Sequence, residues 1–237
     1  MYTAPHTVGL GALRSDRAYA ELKTRLLRGE FPINVRLGEE RIAGLLDVSR
    51  TPVREALVRL YAEGLVGRSA DGGYSPVAPD VANMKFLYEV RAGLELQSLR
   101  RPMLAGLRHD LGLLEALRDD WRSLAASDAD HVGPDFVLMD ESFHVTLSDA
   151  GGNPVATDML RQVNDRIRLV RMQDYFTVER VRDTIAQHLG IVEAVLLDDL
   201  GEAERRFISH LEESAGVVEQ RVNQAVSRML ARSSESL

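Results

Sequence analysis

The sequence predicts a mainly α-helical protein with two domains, residues 1–78 and 79–237. Apolar residues recur at intervals of three and four along most of the 237 residues, which is the period of an amphipathic helix. A pattern of two short strands occurs over residues 63–77, and helical patterns resume after it. Two prolines in the segment 75–80 separate these regions. We therefore expect a small N-terminal domain that contains the strands, followed by an antiparallel all-α bundle.

The N-terminal domain contains three predicted helices, residues 17–28, residues 41–46 and a third helix that begins after the N-cap Ser49. The apolar positions of the third helix lie on one side: Val53, Ala56, Leu57 and Leu60. Asp47 stands in a turn that requires a positive φ angle, which Asp adopts at a higher cost than Gly. Two helices joined by such a turn predict a helix-turn-helix.

The segment after the third helix predicts a two-stranded wing. Glu63-Gly64-Leu65-Val66 ends the helix and enters the first strand, Asp71-Gly72-Gly73 supplies a hairpin turn, and residues 74–77 return as the second strand. A helix-turn-helix followed by a hairpin is typical of winged DNA-binding domains. Such domains present the N-terminal end of the recognition helix to the major groove of DNA.

Three arginines of the third helix are the predicted DNA-binding side chains: Arg50, Arg54 and Arg59. The alternative is that they form only a solvated helix face, as most surface arginines do. The charge distribution favours DNA binding. Residues 1–79 carry 11 basic and 9 acidic side chains, whereas the rest of the chain carries 18 basic and 27 acidic side chains. An acidic second domain would be held away from the phosphates while the first domain approaches them.

Cysteine is absent from the sequence, which excludes disulfides and thiolate metal sites. The first residues lack the basic-then-apolar pattern of a signal peptide, and no run approaches the roughly 18 consecutive apolar residues of a membrane span. We therefore expect a cytoplasmic protein with no membrane partner.

Six further helices are predicted near residues 80–105, 109–126, 131–150, 154–173, 178–198 and 201–231. Their short connections predict an antiparallel bundle.

Asp140 and His144 are four residues apart on one of these helices, so both side chains can reach one ion. Alone this pair is weak evidence, because a surface hydrogen bond is the more common reason for it. His188 and His210 lie at about equal distances on either side of a predicted turn, and counting the helical rise back to Asp140 places all four in one layer. Three imidazoles and a carboxylate predict a divalent metal ion, with zinc, nickel, manganese and iron as candidates. The remaining histidines are expected on the surface: His6, His109 and His131.

Residues 48–57, Val-Ser-Arg-Thr-Pro-Val-Arg-Glu-Ala-Leu, followed by the Glu-Gly-Leu-Val of residues 63–66, resemble the signature of the GntR superfamily of bacterial transcription regulators. The resemblance implies that DNA is contacted by Ser49, Arg50, Thr51, Arg54 and the wing-tip glycine, Gly72 or Gly73. Many members carry a basic residue where this chain has Glu40, so no contact is assigned there.

In the second domain, the Asp-x-x-x-His pair followed by two histidines 22 residues apart resembles the metal-binding FCD domain of the FadR-like branch. The count of six helices resembles the VanR subgroup. The resemblance implies Asp140, His144, His188 and His210 as metal ligands, and a small carboxylate effector bound beside the metal.

A carboxylate effector needs a cation or hydrogen-bond donors besides the metal. Arg91 matches an arginine common in the family, and Asn164 lies near the metal layer, so both are predicted to bind the effector. An ion pair of Arg91 with Glu95 in the bundle wall is an equal alternative. Arg161 and Arg168 are expected to face solvent.

The leading hypothesis is a homodimeric, ligand-responsive repressor that binds a palindromic DNA operator and senses a small organic acid at a divalent metal. Two alternatives remain open, a metalloenzyme built on the bundle and a regulator whose metal is purely structural. The winged domain argues against the enzyme, as does the lack of an obvious general base other than Glu141.

Overall fold

The computed structural model describes residues 10–33, 35–78, 81–104, 106–127, 131–133, 135–172 and 177–216. These residues form two compact units, divided between Ala78 and Pro79. Helices dominate both units, and the strands are confined to one hairpin in the first, so the predicted fold class is confirmed. No helix in the described part of the chain is long and apolar enough to cross a membrane.

The first unit is a winged helix-turn-helix. Its elements are α1 (Leu10–Leu27), α2 (Glu39–Leu46), α3 (Arg50–Ala62), β1 (Val66–Arg68) and β2 (Tyr74–Pro76). The two strands pair antiparallel with Val66 opposite Pro76, as the hairpin pattern predicts. α1 begins earlier than the predicted residue 17, because the glycines at positions 9 and 11 have low helix propensity and hide its start.

The predicted apolar face of α3 forms the centre of this unit. Val53, Leu57 and Leu60 are fully buried, and α3 packs against α1, whose Leu22 and Leu26 belong to the same core. Burying each of the three α3 side chains contributes about 1.5–3 kcal/mol. Arg50 and Arg54 lie outside this apolar face and are exposed.

The turn between α2 and α3 has the conformation that the sequence predicts. Asp47 adopts φ 52° and ψ 48°, in the left-handed region, and the backbone N–H of Val48 donates to the carbonyl of Ala43. α3 then begins at Arg50 with Ser49 in the N-cap position, although the Ser49 side chain makes no capping hydrogen bond.

The second unit is a bundle whose described helices are α4 (Met84–Leu104), α5 (Leu111–Ala125), α6 (Phe136–Ala150), α7 (Pro154–Arg171), α8 (Val178–Leu196) and α9 (200–216). The part of the last predicted helix beyond residue 216 lies outside the described residues. Three of the helices begin at side chains that accept a hydrogen bond from the first turn, namely Asp110, Asn153 and Thr177.

A close approach of α4 and α6 positions one side of the bundle core. A Cβ atom at Gly151 would collide with the carbonyl oxygen of Ser98, so glycine is required where α6 ends. One turn earlier, the hydroxyls of Ser98 and Ser148 are 2.8 Å apart. This contact places Glu95 of α4 opposite His144 of α6.

Candidate metal centre and DNA-reading helix

The four predicted metal ligands meet in one buried cluster. Asp140 and His144 project from α6, His188 from α8 and His210 from α9, and one ligand atom of each lies within 4.8 Å of the others. Nε2 of His210 lies 3.2 Å from Nε2 of His144 and 3.3 Å from Nε2 of His188. One carboxylate oxygen of Asp140 lies 3.7 Å from Nε2 of His144, and the other lies 3.7 Å from Nε2 of His188.

The neighbours of two of the imidazoles favour metal binding. Nδ1 of His144 lies 3.2 Å from a carboxylate oxygen of Glu95, and Nδ1 of His210 donates to Oε1 of Gln187 at 2.7 Å. Because the side-chain oxygen of Gln187 accepts from Nδ1 of His210, the proton of this neutral ring lies on Nδ1 and its Nε2 carries a lone pair. The Nε2 lone pair of His210 therefore points into the cluster, toward Nε2 of His144 and Nε2 of His188, where it can bind a cation.

The distances within the cluster also fit one ion. Two nitrogens that bind the same ion at about 2.1 Å are about 3.0–3.4 Å apart when the angle at the ion is about 90–109°. The observed Nε2 separations of 3.2 and 3.3 Å fall in this interval. They suit both octahedral and tetrahedral coordination, so zinc, nickel, manganese and iron all remain candidates.

The protonation states of the cluster suit a metal. The pKa of His210 is lowered to about 3, mainly by burial and next by the nearby His144. Burial and the nearby His210 also hold the pKa of His188 well below its usual value. Burial by itself would raise the pKa of Asp140, but the guanidinium of Arg171 and the neighbouring histidines bring it well below its usual range. Neutral imidazoles and an ionised carboxylate are the forms that bind metal ions.

Aromatic side chains fix the orientation of one ligand. The ring of His188 stacks on Phe143 with 3.7 Å between centroids and 5° between planes, and it meets Trp121 edge-on at 4.3 Å. These contacts leave His188 few orientations other than the one that points Nε2 into the cluster.

Both predicted effector-binding side chains are buried in the bundle. Nε of Arg91 donates to Glu95 at 2.7 Å, so the predicted alternative of an ion pair is present. However, Nη1 and Nη2 of Arg91 have no hydrogen-bond partner among the described residues, and neither do the amide oxygen and nitrogen of Asn164. The ion pair therefore occupies one edge of the guanidinium and leaves its outer end available.

The contact of Glu95 with His144 and the burial of Arg171 against Asp140 were not predicted from the sequence. Glu95 contacts both Arg91 and His144, and although burial opposes ionisation, these two neighbours bring the pKa of Glu95 to about 2. Arg171 is buried against Asp140, and its Nη1 lies 3.5 Å from Glu141. The sequence did contain a signal for Arg171. Asn164, Arg168 and Arg171 of α7 have the spacing of a single helix face, and Asn164 was already predicted to lie near the metal layer.

Two expectations about surface residues were wrong. Arg168 does not face solvent, because its side chain is 16% exposed and Nη2 lies 2.6 Å from a carboxylate oxygen of Glu141. His109 is buried, and burial lowers its pKa. The expectations for Arg161 and His131 are confirmed, since both lie on the surface, whereas His6 lies outside the described residues.

The N-terminal end of α3 exposes four of the predicted DNA-binding residues, which are Ser49, Arg50, Thr51 and Arg54. The side chains of Arg50 and Arg54 are each 63% exposed. Both guanidiniums bond the carboxylate of Glu39, the first residue of α2.

The other predicted DNA contacts lie elsewhere in the winged unit. Arg59 is in the last turn of α3, where it pairs with Asp16 at 2.7 Å and covers the ring of Tyr19 at 3.7 Å, both on α1. Gly72 is exposed at the hairpin turn with φ +80°, whereas Gly73 is buried and its Cβ position is 3.0 Å from the side chain of Arg36. Gly72 is therefore the better placed wing-tip glycine, and the DNA contact of Arg59 stays a prediction.

Comparison with known families decides what kind of protein carries these sites. The family of FCD domains matches residues 87–213, more than half of the chain, and the gntR family of bacterial regulatory proteins matches residues 14–74. The chain belongs to the GntR family of bacterial transcriptional regulators. It is therefore a DNA-binding regulator with an FCD domain and not an enzyme, which removes the metalloenzyme alternative.

Relatives along most of the chain support this membership. The Nta operon transcriptional regulator of Aminobacter aminovorans is 29% identical over 204 residues, covering 85% of this chain and 92% of the relative. The transcriptional repressor RspR of Escherichia coli K12 is 25% identical over 185 residues, 78% of this chain and 79% of the relative. The solved structure of E. coli McbR/YncC shares the fold, with a TM-score of 0.74 at 18% identity over 88% of this chain and 98% of that one.

We expect Gln187→Ala to weaken zinc binding roughly tenfold, because His210 loses the acceptor that holds the proton on its Nδ1. Competition with a chromophoric chelator measures the affinity, and the same titration is run on the matched variant Gln162→Ala, an exposed glutamine of α7. Native zinc affinity in Gln187→Ala would contradict a role for this hydrogen bond in the metal site.

Proposed function

We propose that this regulator contains a divalent metal and senses a small organic acid in its FCD domain, and that this acid changes the affinity of a homodimer for a palindromic operator. One observation carries the proposal. The outer nitrogens of Arg91 and the amide of Asn164 are buried without partners among the described residues. Leaving such groups unpaired is costly, so their burial favours a ligand that bonds them.

The chemistry of these groups favours a carboxylate. The end of a guanidinium presents two parallel N–H donors, which match the two oxygens of a carboxylate. The amide of Asn164 adds an NH2 donor group and an acceptor oxygen, which suit a hydroxyl or a second carboxyl group. Glu95 bonds Arg91 and lies 3.2 Å from Nδ1 of His144, so the carboxylate would bind beside the metal ligands.

Charge balance supports joint binding of the acid and the metal. Arg91 is paired with Glu95 and Arg171 with Asp140, so these buried charges compensate each other. A divalent cation adds two positive charges to this region, and uncompensated charge is expensive to bury. A carboxylate supplies the missing negative charge, and the metal supplies Lewis acidity that strengthens its binding.

The regulatory output would follow from the geometry of paired recognition helices. A dimer of winged domains contacts two half-sites at a fixed spacing. An effector that shifts the bundle changes this spacing and therefore the operator affinity. Repression is the proposed mode, supported by the relative RspR, which is named a repressor. A cytoplasmic location is the setting that this function requires.

We expect a small carboxylate to bind the metal-loaded protein at least roughly tenfold more tightly than the metal-free protein, about 1.4 kcal/mol, because the two share one site. Calorimetric titration of hydroxy- and dicarboxylic acids into both forms measures the difference. The same acids are then added to an operator-binding assay.

Two outcomes would contradict this proposal. Equal affinity of the acids for both forms would show that metal and effector do not share a site. If none of the acids binds either form, the metal has the purely structural role that the sequence left open.

A further inference from the structure

A carboxylate from α2 holds the two arginines that begin the recognition helix. Oε1 and Oε2 of Glu39 accept hydrogen bonds from Nε and Nη2 of Arg54 at 3.1 and 2.9 Å, and Oε2 also lies 3.3 Å from Nη2 of Arg50. The hydrogen bond from Arg54 is the largest cause that lowers the pKa of Glu39, so this carboxylate is ionised. The three side chains therefore form a charged triad across the helix-turn-helix.

The geometry of the triad leaves the arginines able to bind DNA. Glu39 occupies the Nε and Nη2 edge of Arg54, and the outer end of the guanidinium, with Nη1 and the second hydrogen of Nη2, stays open. That outer end is one of the donor pairs that can contact O6 and N7 of guanine together. Arg54 can therefore bond the carboxylate and a base at the same time.

We propose that Glu39 is a specificity-determining residue that positions Arg54 for base contact before DNA arrives. The proposal rests on the DNA-reading role proposed for Arg54. A free arginine side chain samples many rotamers, and binding one of them costs conformational entropy. Because Glu39 restricts those rotamers in the free protein, less entropy is lost when Arg54 bonds a base.

The same carboxylate discourages binding to non-operator DNA. Non-specific binding depends on positive charge near the phosphates and requires no particular orientation of a guanidinium. The negative charge of Glu39 reduces this attraction, whereas its positioning effect benefits base contacts alone. Glu39 thus increases the ratio of operator affinity to non-specific affinity in two ways.

Glu40 provides a matched control for this idea. It follows Glu39 in the first turn of α2, is exposed, and has no hydrogen bond or ion pair among the described residues. Glu39→Gln and Glu40→Gln remove the same charge from the same helical turn, and both weaken its interaction with the helix dipole. Only Glu39→Gln alters a side chain that contacts Arg54.

The test uses the full-length dimer and an operator selected from random DNA by the wild-type protein. Fluorescence anisotropy gives affinities for that operator and for a scrambled duplex, and thermal melting verifies the fold. We expect Glu39→Gln to bind the operator roughly tenfold more weakly, and Glu40→Gln to bind it with unchanged or greater affinity. Both variants are expected to bind the scrambled duplex at least as tightly as the wild type.

A scan of single base-pair changes in the operator provides the second readout. Discrimination lost in Glu39→Gln is expected at the positions where Arg54→Lys loses it, because lysine keeps the charge but not the paired donors of arginine. If Glu39→Gln binds the operator more tightly, the carboxylate competes with DNA and the proposal is overturned. An equal loss in Glu39→Gln and Glu40→Gln would also overturn it. Native operator binding by Arg54→Ala would instead remove the role of Arg54 on which the proposal rests.

Discussion

Arg54→Ala will abolish specific operator binding and leave the fold intact. An arginine that contacts guanine through two hydrogen bonds contributes roughly 1–3 kcal/mol of base discrimination, and a dimer loses this contribution at both half-sites. The Arg54 side chain is 63% exposed, and its ion pair with Glu39 is at the surface, so little stability is lost with it.

Fluorescence anisotropy with operator and scrambled duplexes measures this effect, and circular dichroism verifies the fold. Arg17→Ala removes the same charge from an exposed position on α1 and serves as the control. It is expected to retain discrimination between the two duplexes. If Arg54→Ala has the operator affinity of the wild type, Arg54 does not read the operator.

The sequence predicts the winged domain well because its determinants are local. The apolar face of α3 follows from residues three and four apart, and the turn at Asp47 follows from the conformational preferences of one residue. Gly72 at a positive φ marks the hairpin in the same way. Where local signals are weak, as at the glycine-containing start of α1, the prediction was wrong.

The convergence of Asp140, His144, His188 and His210 could be predicted because helical rise is regular. Counting residues on either side of short turns gives the height of each histidine in the bundle. Their neighbours could not be predicted in this way, because these contacts depend on how helices rotate and approach each other. Gln187 meets His210 across α8 and α9, and the approach of α4 at Gly151 brings Glu95 to His144.

Hydrophobic pattern also misjudges charged residues that are buried in pairs. Arg168 was expected in solvent because a single arginine is seldom buried. Its position becomes favourable only when Glu141 of α6 accepts its hydrogen bonds. Such a pair is visible in the sequence only after the rotation of both helices is known.

His188→Ala and His210→Ala are each expected to lower metal content and thermal stability together. The site joins α6, α8 and α9, so a bound ion stabilises the folded bundle over the unfolded chain. At a free metal concentration of about 1,000 times Kd, this stabilisation is roughly 4 kcal/mol. Elemental analysis of purified protein gives the metal content, and thermal melting with and without a chelator gives the stability.

The chelator comparison separates loss of metal from loss of packing. His188→Ala also removes a ring that stacks on Phe143 and would lower stability even without metal. This packing loss persists in chelator. The contribution of the ion is measured by the decrease in melting temperature that the chelator causes. Wild type and His131→Ala, which alters a partly exposed histidine outside the cluster, should both lose stability in chelator, and the two ligand variants should not. If the wild-type protein contains no metal after mild purification and binds none when metal is added, the metal site that we infer from the convergent Nε2 atoms does not exist.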